Sequence, residues 1–170
     1  MIKGDIRHNQ ILEIIHENPG LNFSDIMRIT GFKNGVLSYY VNKLEKWNKV
    51  TIIRKIGNTR FFPKDVNESE SNLLEMLRRP TPYEIIFQLS KNPEGLTIND
   101  IVKISEKAQS TISTYLQLLL SKKIIIVILD EKKKIFMLKN MSNFRHTIQK
   151  YNFKPVNKTI QNFNEMFESL

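Results

Sequence analysis

The sequence predicts a mainly α fold with small β-hairpin wings (α+β), written as two tandem copies of one small unit and followed by a C-terminal helical tail. Three observations predict it. The chain can be laid over itself at an offset of 75 positions, so that Leu21 to Lys64 covers Leu96 to Lys139 without a gap. Ten of those 44 positions are identical, among them Leu21/Leu96, Asp25/Asp100, Ile26/Ile101, Ile29/Ile104, Ser38/Ser113, Tyr40/Tyr115, Leu44/Leu119 and Phe61/Phe136. Each copy also passes from helical spacing to strand-like runs around a turn.

The first copy sets the order of elements. Ile11, Leu12, Ile14 and Ile15 form a helical stripe that stops at Asn18-Pro19-Gly20. Asn22 is placed to cap the next helix, with Asp25 three residues on, and Ile26 and Ile29 share its inner face before Gly31 ends it. After a short turn, Leu37, Val41 and Leu44 recur at helical spacing. Trp47, three residues after Leu44, is expected to close the core where this helix meets the hairpin, the alternative being base stacking by an exposed ring. Val50 to Lys55 and Thr59 to Phe62 then flank Gly57-Asn58, a hairpin signal.

The second copy repeats the scheme. Thr81-Pro82 supplies a cap and a proline at the first helical position. Ile85, Ile86 and Leu89 give the first stripe, Ile101 and Ile104 the short helix, and Ile112, Leu116 and Leu119 the third. Ile124 to Leu129 and Ile135 to Leu138 flank a polar tip, Asp130 to Lys134. Between the copies, Asn67 to Asn72 is a polar, acidic connector, and Leu73, Leu74 and Leu77 mark a short helix ending before Pro80. The expected organisation is therefore unit one at 1–66, connector at 67–80, unit two at 81–141 and tail at 142–170. In the tail, Phe144 and Ile148 suggest one helix; Lys154-Pro155 breaks it, and Ile160, Phe163, Phe167 and Leu170 stripe another.

Composition narrows the function. The 170 residues carry 26 Lys+Arg against 17 Asp+Glu, a formal charge of +9 and a sequence pI near 9.7. That balance favours an acidic partner, nucleic acid first. Cysteine is absent, which removes disulfide scaffolds, cysteine zinc sites, iron–sulfur clusters and thiol nucleophiles. No apolar run approaches the ~20 residues of a membrane span, and no secretory signal opens the chain. His8, His16 and His146 form no close metal pair, and no glycine-rich phosphate loop or nucleophile–base set is present. No catalysis, cofactor, metal or membrane partner is expected.

Helix, helix, turn, helix and β-hairpin is the order of a winged helix-turn-helix. The run NPGLNFSDIMRITGFKNGVLSYYVNKLEKWNKV, Asn18 to Val50, resembles the first domain of archaeal winged-helix transcription regulators related to the ArsR and MarR type. The resemblance covers Arg7 to Lys64 and, more loosely, Pro82 to Lys139. It departs at Asn48, where such proteins commonly carry Gly; Asn is the next best residue for a left-handed turn. It implies binding to duplex DNA, as a homodimer, by a cytoplasmic and nucleoid-associated regulator.

In that arrangement the helix after the turn enters the major groove. Opposite its Leu37, Val41 and Leu44 core face stand Lys33, Asn34, Ser38, Tyr39, Asn42 and Lys43. Asn can bond adenine edges in bidentate fashion, Ser and Tyr can donate to phosphates, and Lys can neutralise them. The wing adds Lys55, Asn58, Thr59 and Arg60 as backbone or minor-groove contacts. The second copy offers Gln109, Ser110, Ser113, Thr114 and Gln117 with no cation on that helix, plus Lys132 and Lys133 at its wing tip. It could read bases, but it would hold phosphates weakly.

Charge is divided unevenly: 11 basic against 6 acidic residues in 1–66, 2 against 3 in 67–80, 9 against 6 in 81–141, and 4 against 2 in 142–170. Lys43 and Glu45 of the first copy become Leu118 and Leu120, which widens the apolar stripe and calls for cover by the tail, the other copy or a second subunit. The rival reading of the whole chain is a protein-interaction scaffold; a further alternative is nonspecific chromatin architecture.

Overall fold

A computed structural model describes residues 3–55 and 58–153 of the chain. Among them are eight helices and two three-stranded antiparallel sheets. The first unit runs α1 (Lys3–Glu17), β1 (Leu21–Asn22), α2 (Phe23–Thr30), α3 (Asn34–Lys46), β2 (Val50–Lys55) and β3 (Asn58–Pro63). Then come α4 (Glu68–Leu77), α5 (Pro80–Lys91), β4 (Leu96–Thr97), α6 (Ile98–Ser105), α7 (Gln109–Ser121), β5 (Ile125–Asp130), β6 (Lys133–Leu138) and α8 (Met141–Lys150).

The 75-residue offset holds in three dimensions. Leu21 pairs with Phe61 and Leu96 with Phe136; Val50 pairs with Pro63 and Ile125 with Leu138. Left-handed backbone recurs at the same offset: Gly20 and Gly95 (φ 84° and 87°), Gly31 and Glu106 (69° and 53°), Asn48 and Lys123 (55° and 57°). Gly95 has a second reason to lack a side chain, since a Cβ there would lie 2.5 Å from Ile135 Cγ2 and 2.8 Å from Phe136 O. Both short helices open with a capping box, Asn22 with Asp25 and Thr97 with Asp100.

Several sequence expectations shift. The short strands β1 and β4 each add a third strand beside β3 and β6. Lys55 pairs with Asn58, so Asn58 opens a strand rather than forming the turn. The second wing turns on Glu131-Lys132, both left-handed, with strands reaching Asp130 and Lys133. Helix α5 starts at Pro80 with Arg79 before it, not at Pro82; both prolines fall in a first turn whose N–H groups have no helical acceptor. Ile29 and Ile104 are exposed; the inner faces are carried by Ile26 with Phe23 and Met27 in α2, and by Ile101 with Ile98 and Val102 in α6. Trp47 is 49% exposed instead of closing the core. The expected tail stripe from Ile160 to Leu170 lies outside the described residues.

Two apolar cores form, and their boundary is not where the composition changes. The first joins Ile11, Ile15, Leu21, Ile26, Leu37, Val41, Leu44, Val50 and Phe61. The second gathers the inner residues of α5, α6 and α7 with Leu73, Leu74 and Met76 of α4, Phe144 and Ile148 of α8, and Phe62 of the first hairpin. Residues 70–77 of the connector, its acidic Glu70 and Glu75 included, are thus largely buried. Leu118 and Leu120 pack half-buried against this second core.

Candidate nucleic-acid interface

Helix α3 is presented by the turn before it. Gly31 ends α2 in the left-handed conformation, its N–H donating to Met27 O at 2.8 Å, and Lys33 is extended before α3 begins. Leu37, Val41 and Leu44 anchor the inner face. Lys33, Asn34, Tyr39 and Asn42 are exposed, and Ser38 and Lys43 half-exposed. The structure thus brings all six expected residues of this helix onto its outer side.

That side is partly preorganised. Ser38 Oγ donates to Asn34 Oδ1 at 3.1 Å, which orients the Asn34 amide NH₂ outward as donor. Lys43 Nζ sits 4.7 Å from the Tyr39 ring centroid and 5.5 Å from that of Trp47, bridging the two exposed aromatics. Trp47 meets His8 of α1 edge-on at 5.3 Å. Tyr39 in turn meets Tyr40 edge-on at 5.1 Å. The result is a patch of flat rings and one ammonium beside the polar row Asn34–Ser38–Asn42. Sequence spacing missed Trp47 as part of it because Trp47 follows the last turn of α3, where angular position no longer obeys the helical period.

The first wing behaves differently. Arg60 is only 8% exposed: its Nη1 donates to Gly20 O at 2.9 Å and its Nε to Asn58 Oδ1 at 2.8 Å. Burial lowers its pKa, with the nearby Arg79 charge adding to the effect. A guanidinium held this way braces β3 against the α1–β1 turn. Asn58 Nδ2 donates to Glu75 Oε1 at 2.8 Å, and Lys55 Nζ lies 3.4 Å from Glu75 Oε2. Thr59 remains half-exposed between them. Lys55, Asn58, Thr59, Arg60 and Arg79 line a shallow groove with Asn22 and Ser24 at the start of α2.

Glu75, on α4, is the residue that sequence reading did not single out. Its carboxylate also accepts from Lys122 Nζ at 2.8 Å and Arg79 Nη2 at 3.2 Å. Burial pushes this carboxyl up, but the hydrogen bond and charge of Lys122, with Lys55 and Arg79, outweigh burial and hold it below the usual range. Glu70 is similar: burial raises it, while Asn67 N–H, Lys150 at 3.0 Å and Tyr151 OH at 2.9 Å bring the net shift downward. Arg78 donates to Pro19 O at 3.0 Å and lies over the Phe153 ring; burial lowers its pKa to about 10. The acidic connector is therefore an internal counter-charge between the units, and its only sequence signal is acidic residues at helical spacing among leucines.

In the second unit, Gln109, Ser110 and Thr114 are exposed and Ser113 half-exposed on α7, with Thr114 Oγ1 donating back to Ser110 O at 2.9 Å. Lys132 and Lys133 are exposed at the second wing. Among the described residues no group of three His, Cys, Asp or Glu could hold a metal ion. None of the described helices is long and apolar enough to cross a membrane.

Residues 5–50 match the family of winged helix-turn-helix DNA-binding domains. Among solved structures, the chain is similar to a predicted DNA-binding transcriptional regulator from E. coli (21% identity, 48% of this chain and 87% of that one, TM-score 0.42). It is also similar to MepR of S. aureus in a DNA complex (22%, 60% and 88%, 0.40) and HlyU from Vibrio cholerae N16961 (19%, 47% and 90%, 0.39). No curated protein matches the sequence.

Proposed function

We propose that this protein is a sequence-specific, double-stranded DNA-binding transcription regulator built from tandem winged helices, with α3 of the first unit as its reader. The observation that carries this reading is the outer side of α3. It combines two amides that suit base edges, Asn34 and Asn42, with Lys33 and Lys43 for phosphates, on a helix-turn-helix that matches a DNA-binding family. The protein acts as a homodimer, so that two readers meet a two-fold operator. It works in the cytoplasm, at the nucleoid. The second unit contributes assembly more than affinity, since α7 has no cation and its flank is apolar.

Selection of bound sequences from random duplex DNA tests the proposal. An enriched motif is expected, and Asn34→Ala or Asn42→Ala should relax preference at one position, at roughly 1–3 kcal/mol per lost bidentate contact. Selected pools indistinguishable from the input would refute specific reading and favour the scaffold alternative.

A further inference from the structure

The two hairpins share one ladder register but not one surface. In the first hairpin, Phe62 and Ile53 pack into the second core and Arg60 is buried beside them. Their counterparts 75 residues on, Met137, Ile128 and Ile135, are all apolar, yet Ile128 is 44% exposed and its neighbour Ile126 is also exposed. The opposite face shows a correlated exchange. Arg54 on β2 makes a bidentate pair with Glu45 of α3, at 2.6 and 2.7 Å. The equivalent positions are Leu129 and Leu120, and Leu129 is 74% exposed. A charged, guarded edge in the first hairpin is an aliphatic, bare edge in the second. Exposed edge strands are ordinarily protected by charge, bulges or cover, because they offer unpaired backbone groups to any other strand.

The backbone shows which groups are on offer. Strand β5 is at the edge of its sheet, in the order β4-β6-β5. Lys139 N–H donates to Ile124 O at 2.9 Å, which makes that pair a hydrogen-bonding position of the ladder. Alternation along an antiparallel pair then bonds Ile126, Ile128 and Asp130 to β6, and turns the N–H and C=O of Ile125, Val127 and Leu129 outward.

We propose that β5 is the seam between two copies of this chain. An antiparallel pair centred on Val127 sets every outward residue against an outward residue: Val127 on Val127, Ile125 on Leu129 and Leu129 on Ile125. Each such pair exchanges two backbone hydrogen bonds. The register also lays Ile126 against Ile128 on the other face, an apolar cross-strand pair. It brings Glu131 of one copy to Lys123 of the other, and the two-fold axis repeats that contact. A parallel pairing would oppose Lys123 to Lys123 and Glu131 to Glu131. Charge and symmetry therefore select the same arrangement, and the two three-stranded sheets become one of six strands. This names the surface of the homodimer proposed above and rests on that reading.

The test uses the full chain at micromolar concentration, by light scattering and sedimentation equilibrium. Wild type is expected at twice the 20.0 kDa chain mass. Val127→Lys and Leu129→Lys should each weaken association by roughly 100-fold, with the far-UV spectrum unchanged in Leu129→Lys, whose side chain is 74% exposed. Lys123→Glu should weaken it about 5-fold, and adding Glu131→Lys should restore it, a rescue that a folding defect would not give. A wild-type monomer overturns both the seam and the homodimer. A dimer indifferent to all four substitutions overturns the seam alone. DNA selection is read separately, so failure to find an operator with the dimer intact counts against the regulator and not against the seam.

Discussion

Replacing Glu75 by Ala should markedly destabilise the chain although it removes no apolar core residue. The Glu75 side chain is 7% exposed and the Lys122 side chain 10%, so their 2.8 Å contact is effectively internal, whereas the Lys55 and Arg79 side chains are 49% and 33% exposed and count for little. Removing one partner of a buried pair leaves an uncompensated charge and costs about 3–5 kcal/mol. Partial access of Lys122 to the surface places the expected loss at the lower end, about 3 kcal/mol. At a urea slope of about 2 kcal/mol/M, the unfolding midpoint should fall by roughly 1.5 M. Glu75→Met combined with Lys122→Met should recover most of that loss, because an apolar pair of similar volume removes the orphaned charge. Urea titration followed by circular dichroism and by Trp47 fluorescence measures both. A midpoint lowered by less than about 0.3 M in Glu75→Ala, or a double variant no better than the single, would refute the argument that this carboxylate is an internal counter-charge.

Arg60→Ala should destabilise the chain by about 1.5–3 kcal/mol through loss of charged hydrogen bonds to Gly20 O and Asn58, while DNA affinity of the folded variant stays within about 2-fold of wild type; titrations of stability and of DNA binding side by side check it. Stability should fall on acidification. Glu70 and Glu75 are both held below their ordinary values, so their contribution is complete above the unfolded carboxylate pKa of ~4.3 and is lost as pH drops through the lower folded values. Urea midpoints between pH 3 and pH 6 should show that decline in wild type and a shallower one in Glu75→Gln. With Arg60 buried, phosphate neutralisation falls to Lys33, Lys43 and the half-exposed Lys55, so log–log salt dependence should have a slope of about −3 per reader, at ~0.9 per contact. Binding isotherms across a salt series measure it.

Elements with a local cause were legible in the sequence. Asn22 with Asp25, Gly31, and the stripe Leu37–Val41–Leu44 specify the helix-turn-helix through caps, turn geometry and period, and each is decided within a few residues. Asn48 supplied the left-handed turn expected of it. What stayed hidden depends on partners distant in the chain. Arg60 looks like any surface cation until Gly20 O, 40 residues earlier, is found against it. The partners of Glu70 and Glu75 could not be read locally, because Lys150 lies 80 residues and Lys122 47 residues further on. Trp47 failed for the opposite reason: the spacing rule was applied one residue past the helix that justifies it.

Placing Phe62 in the second core has a consequence for synthesis. When residue 66 leaves the ribosome, the first core has all its members, from Ile11 to Phe61, and can close. Phe62 and the outer face of that hairpin then wait for α4, and for the second core that extends to Ile125 and beyond. At 5–20 residues per second, the ~60 residues from the hairpin to Ile125 take roughly 3–12 s, long compared with the microseconds in which a hairpin forms. Throughout that interval the nascent chain displays a large aromatic ring whose surrounding core is incomplete. The first unit thus emerges able to fold but with one face unfinished, and it is in these seconds, more than in the completed molecule, that a holding chaperone would find something to grip.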